Sequence, residues 1–165
     1  MDIKRNSKAL RVAYQDWWTQ NWDSELDAYL GSIWYRQING DMCEKLSMME
    51  QATRNVYANF VQQCLAKPNA PSKRKYLPQV LFFPDLVFNR IGGLRKSVRN
   101  IPNGGLGYHF LCFHRPSGRV ADLVEHFQEK QEWYRQRVPQ LEDIDVVPVE
   151  YTPGRCVSYM FKYWG

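Results

Sequence analysis

No apolar run in the sequence approaches the ~20 residues that a membrane-spanning helix needs, so a transmembrane span is excluded. Met1-Asp-Ile-Lys-Arg5 runs into polar residues instead of an apolar core, so no secretory leader is read. Cysteine is sparse. Cys43, Cys64, Cys112 and Cys156 lie far apart with no Cys-x-x-Cys pair, which argues against both a zinc cluster and a disulfide scaffold. Buried thiols in a reducing cytoplasm are therefore expected. P-loop spacing is missing from the glycine-rich stretch, and there is no internal repeat, linker or low-complexity tract.

Aromatic residues, by contrast, are abundant: 15% of the 165 positions, with six Trp and ten Tyr. Such residues build a core, a partner surface or base-stacking platforms, and composition does not choose among them. The length suits a single domain with a real core. A formal charge of +5 tilts the expected partner towards an anion, nucleic acid first.

Periodicity orders the elements. Leu10, Ala13, Tyr14, Trp17 and Trp18 predict a short amphipathic helix over Ser7 to Trp22, an extension comprising residues 1–25. Residues 26–165 form the expected core domain. Leu26 to Ile38 is rich in β-branched and aromatic residues and reads as a strand. Asn39-Gly40-Asp41 signals a turn, with Asp41 able to cap a helix that begins there. From Asp41 to Ala66, Met42, Leu46, Met49, Thr53, Val56 and Phe60 recur at three- and four-residue steps and predict a long helix. Met48 and Met49 are both assigned to its packed side.

Tyr76 to Ile91 returns to strand chemistry, and Pro84 demotes part of it to an edge or a bend. Leu106 to His114 is a hydrophobic strand. Arg119 to Arg137 carries Val120, Leu123, Val124, Phe127 and Tyr134 on one helical face, with His126 read as a solvated residue beside it. Ile144 to Val149 is a last strand. The predicted class is therefore α+β, an antiparallel sheet of four to five strands with helices packed on it.

Two loops carry the cations. Lys73-Arg74-Lys75 ends a proline-broken segment, and Arg90, Arg95, Lys96 and Arg99 punctuate the glycine-rich stretch that runs to Gly105. Either set could grip phosphates, and either could be a solvated surface.

At the end of the chain Pro153-Gly154 breaks the preceding strand, and Tyr159 and Lys162 stand three apart on a helix-compatible run. On a helix they share one face. A hydroxyl nucleophile beside a fixed cation suits attack on a phosphodiester, and an amphipathic helix burying Tyr159 and Trp164 is the plain alternative.

Gly107-Tyr108-His109-Phe-Leu-Cys-Phe resembles the strand of the HUH superfamily that bears a His-hydrophobic-His motif, and Arg155-Cys-Val-Ser-Tyr159-Met-Phe-Lys162 resembles that superfamily's Tyr-x-x-Lys helix. The inovirus-type and prophage-borne rolling-circle replication proteins read similarly, and in element order the likeness runs from residue 76 to 163. The resemblance implies an RRM-like nuclease fold and a single-strand DNA endonuclease. It implies Tyr159 as nucleophile, with Tyr163 as a substitute, and Lys162 as its electrostatic partner. It further implies His109 as ligand of a divalent metal, Mg²⁺ or Mn²⁺, and single-stranded DNA as partner, with room for a host or replisome protein. The pattern is incomplete here: Gly107 and Leu111 flank His109 at even offsets, and His114 belongs to the opposite face of a regular strand. Asp27, Asp85 and Glu150 are the carboxylates considered to complete a site. Two other readings stay open: a DNA-binding module on the same fold without chemistry, and a phage- or plasmid-borne domain that binds another protein.

Overall fold

The computed structural model describes residues 25–86, 102–117 and 119–149, with Val12, Ala13, Asp16 and Gln20 as isolated helical and exposed positions. The rest of the N-terminal helix expected over Ser7–Trp22, the strand expected to continue over residues 87–91 and the helix expected around Tyr159 lie outside the described residues.

Strand β1, Asp27–Tyr35, alternates buried and less buried residues as a sheet strand should. Helix α1, Met42–Cys64, begins with a capping box. The Asp41 carboxylate accepts from the Glu44 amide at 2.9 Å, and Glu44 Oε2 accepts from the Asp41 amide at 2.8 Å. A short 3₁₀ turn, Pro71–Tyr76, leads into strand β2, Gln79–Leu86. A second one, Pro102–Gly105, precedes β3, Leu106–His114. Helix α2, Leu123–Arg137, is capped by Asp122 and leads to β4, Leu141–Pro148.

The four strands form one sheet in the order β2-β3-β1-β4, every neighbouring pair antiparallel. Each helix crosses over one intervening strand, α1 between β1 and β2 and α2 between β3 and β4. The chain is thus two interleaved split β-α-β units, the β-α-β-β-α-β arrangement. The α+β reading holds, with four strands among the described residues. Pro84 sits in β2, and β2 is an edge strand, where a missing amide donor breaks no interior ladder.

Both helices pack on the same face. That core joins Tyr29, Ile33 and Tyr35 of β1, Tyr108, Phe110 and Cys112 of β3, and Ile144 and Val146 of β4 to Met49, Val56 and Phe60 of α1 and Leu123, Phe127 and Tyr134 of α2. The other face has its own smaller cluster, Ala28, Phe83, Leu111 and Phe113, against which Leu26, Leu30, Leu81 and Val149 pack among the described residues. Most described aromatics are therefore core. Four expectations need correction. Met48 is exposed while Met49 is buried, because consecutive helical residues point about 100° apart and only Met49 is on the stripe. Met42, the first residue of α1, is also exposed. Tyr76 belongs to the 3₁₀ turn and not to β2. His126, expected in solvent, is buried and bonds Tyr134 Oη at 3.0 Å.

Gly31 is paired with Phe110, and the Phe110 ring lies over it. A Cβ at position 31 would fall inside that ring, so Gly31→Ala must displace a fully packed aromatic. Overpacking of this kind costs about 3 kcal/mol. Urea denaturation should show that loss, and Phe110→Leu should recover part of it in the double variant. A loss below about 1 kcal/mol would mean the ring has room to move.

His114 and His126 both contact Phe60, at ring-centroid distances of 6.0 and 5.9 Å. Burial lowers both imidazole pKa values, His126 to about 4, with Lys130 and His114 adding to the effect on His126. For His114, bonded at Nε2 to the Val120 carbonyl at 2.8 Å, that bond and the charges of Asp27 and Asp122 oppose the shift. With the folded pKa below the unfolded 6.5, the unfolded chain takes up protons first as pH falls. Stability is expected to decline from about pH 6.5 downward, with His126 accounting for about 2 kcal/mol at pH 5. Denaturation at pH 7 and pH 5 checks this, and His126→Phe should flatten the difference. An equal drop in that variant would place the titration elsewhere.

Candidate functional site

The face of β3 that neither α1 nor α2 covers is where a site can be built. Eight of the nine residues of β3 are buried, and His109 is the exception. Its strand is interior, flanked by β1 and β2, so the imidazole sits near the middle of the sheet and not at an edge. Across the ladder His109 is paired with Ser32 on β1 and with Phe83 on β2. Ser32 Oγ and His109 Nδ1 are 2.8 Å apart and hydrogen-bonded, which holds the ring in one orientation. Asp145 of β4 is in register with Ser32 on its other side, so Phe83, His109, Ser32 and Asp145 form one row across four strands.

His114 is the outcome expected of a regular strand. It lies on the opposite face from His109, 2% exposed, beneath Phe60 and bonded to Val120. No bulge interrupts the β1–β3 register to re-aim it. The two histidines therefore do not form a pair.

Asp27 is removed from the set of partners for His109. It pairs with His114 at the far end of β1, five positions from Ser32 and on the side of Tyr29 and Ile33. Asp85 is paired with Gly107, two positions along β2 from Phe83, and so occupies a register position diagonal to His109 and not opposite it. Glu150 lies outside the described residues. Among the described residues no three His, Cys, Asp or Glu side chains converge to hold a metal. A divalent ion would find one imidazole here, and these residues alone do not make a metal site.

Tyr159, Lys162, Arg95, Lys96 and Arg99 lie outside the described residues. Lys73, Arg74 and Lys75 are exposed on the 3₁₀ turn that leads into β2. About 17 Å of strand separates His109 from His114, whose end of β3 faces that basic turn, so His109 and the three cations are not brought together.

No family model, curated protein or solved structure matches the chain.

Two contributors escape a reading of the sequence. Ser32 alternates with Leu30 and Trp34 and reads as one polar break in an apolar strand; only the β1–β3 register reveals His109 as its partner. Tyr76 stands directly after Lys73-Arg74-Lys75, an aromatic next to a basic run, and that adjacency is a usable signal. Cys64 and Cys112 are buried, as expected of structural thiols, whereas Cys43 is exposed. Burial pushes the Cys64 thiol up to about 12, so it stays protonated.

No helix among the described residues is long and apolar enough to cross a membrane.

Proposed function

We propose that the chain is a single-strand DNA endonuclease and strand transferase of the HUH type, with Tyr159 as nucleophile. The observation that carries the reading is His109: the one residue of β3 that is not fully buried, on the face that α1 and α2 do not cover, with its ring held by Ser32. The net charge of +5 and the exposed Lys73-Arg74-Lys75 turn support an anionic polymer as substrate.

In the reaction the Tyr159 hydroxyl attacks a backbone phosphorus as its proton is lost. A bond forms between the tyrosine oxygen and phosphorus, the P–O3′ bond breaks, and the departing 3′ oxygen takes up a proton. The products are a 5′-phosphotyrosine and a free 3′-hydroxyl that can prime synthesis. Lys162, three residues after Tyr159 in sequence, would stabilise the phenolate and the charge that grows on the phosphate. A divalent ion, when bound, would polarise the phosphate; His109 is the ligand that the described residues offer, so no step is written through it.

A second reading, a binding module on the same fold without cleavage, is favoured by one feature. Gly107 and Leu111, the neighbours of His109 on its own face of β3, cannot ligate a metal.

A pool of labelled single-stranded oligonucleotides, incubated with Mn²⁺ or with EDTA and resolved on a denaturing gel, separates the two. A slow-migrating covalent adduct, mapped to Tyr159 by mass spectrometry, is the expected result. DNA retained on a native gel with no adduct in either condition would replace the nuclease by the binding module.

A further inference from the structure

The end of the sheet opposite the start of β3 carries a cleft of 300 Å³, lined by Cys64 and Leu65 at the end of α1, Lys73 and Tyr76 of the 3₁₀ turn, and His114 to Ser117 leaving β3. That volume is at the lower bound for small-ligand sites. Tyr76 is 40% exposed, and it is the one aromatic among the described residues that solvent reaches to this extent. An exposed aromatic is unusual in a chain whose other described rings are so largely packed away.

The charges around Tyr76 are matched to it. The Lys75 ammonium stands 4.9 Å from the ring centroid and that of Lys73 5.6 Å, both within cation–π reach. Arg115, on the far wall, is paired with Glu25, so the acid there is already neutralised. The floor adds no negative charge: the Cys64 thiol stays protonated, and His114 is a neutral hydrogen-bonded ring. The cleft thus presents an aromatic ring with two ammonium groups over it and a base without negative charge.

We infer that this cleft is a nucleotide subsite, in which one base of a single strand stacks on Tyr76 while Lys73 and Lys75 hold the adjoining phosphates. The inference rests on the reading of the chain as a single-strand DNA protein and adds where the strand is gripped. Stacking serves any base, because every base has a π-face, so this subsite fixes the strand without reading its sequence. Its distance from His109 makes it a holding site and not part of the reacting centre.

The test is fluorescence anisotropy with labelled oligothymidylate over a range of salt, on wild type, Tyr76→Ala, Tyr76→Phe and the double variant Lys73→Ala/Lys75→Ala. Tyr76 and both lysines are exposed, so these changes leave the core untouched. Tyr76→Ala should weaken binding by about tenfold, the loss expected of one stacked base, with the salt slope unchanged. Tyr76→Phe should bind as wild type does. The lysine pair should lower the slope of log K against log salt by about 1.4, two phosphate contacts to a single strand. Wild-type affinity in both Tyr76→Ala and the lysine pair overturns the subsite. If the Tyr159 adduct still forms in those variants, the nuclease reading survives that failure. Absence of any binding by wild type at low salt would overturn both.

Discussion

Tyr159→Phe is expected to abolish the covalent DNA adduct while leaving the affinity for single-stranded DNA within about twofold. The substitution removes one oxygen and keeps the ring, so only the attacking atom is lost. Lys162→Ala is a graded companion. A cation that stabilises charge developing at the phosphate contributes to the rate and little to ground-state binding, so cleavage should slow by about tenfold or more with DNA affinity nearly retained. The two together discriminate mechanisms. If Tyr159 were only a core residue of a packed helix, its phenylalanine variant would cleave as wild type does, and the assignment of the nucleophile would fall. If Tyr163 were the attacking group, the adduct would persist in Tyr159→Phe and vanish in Tyr163→Phe. Single-turnover measurement of adduct formation, beside anisotropy for binding, reads both quantities on the same samples.

The fold is legible in the sequence because its signals are local. The capping box of α1 is written in Asp41 and Glu44, and its buried stripe comes from residues three and four apart. Pro84 marks an edge strand for the same local reason, a missing donor. His126 misleads because Glu125 and Glu129 near it suggest water, whereas its position one residue before Phe127 turns it towards Phe60 and Tyr134. Whether the polar or the packed side of a helix claims a boundary residue is decided by what lies across from it, and that is a tertiary fact. The separation of His109 from His114 is legible, since five residues along a regular strand reverse the face. The role of Ser32 is not, because the pairing of β1 with β3 joins residues 77 apart in sequence.

The same limit hides Asn103. Its sequence context, Pro102-Asn103-Gly104-Gly105, reads as the tail of a glycine-rich flexible loop, and the structure makes it a buried plug instead. Asn103 is 4% exposed and has a positive φ of 56°. Its Nδ2 donates to the carbonyls of Tyr35 at 3.1 Å and Arg36 at 2.9 Å, and its Oδ1 accepts from the Ile38 amide at 2.8 Å. Its own amide donates to Gln37 Oε1 at 2.9 Å. The chain leaving β1 is thereby fastened to the turn that enters β3, the strand carrying His109.

Asn103→Ala should therefore destabilise the fold by about 4 kcal/mol: it strands one buried amide and two carbonyls, and it places a Cβ-bearing residue without a compensating side-chain bond in the left-handed region. Asn103→Gly separates the two contributions. Glycine accepts the backbone conformation but leaves the same groups without their partner, so about 3 kcal/mol should remain. Asn103→Asp should be no milder than alanine, because a carboxylate would face the two carbonyls that the amide nitrogen now serves. Urea denaturation of the three variants reads these differences directly. A loss below about 1 kcal/mol in Asn103→Ala would mean that water replaces the side chain, and that the entry to β3 is held by the sheet ladder alone.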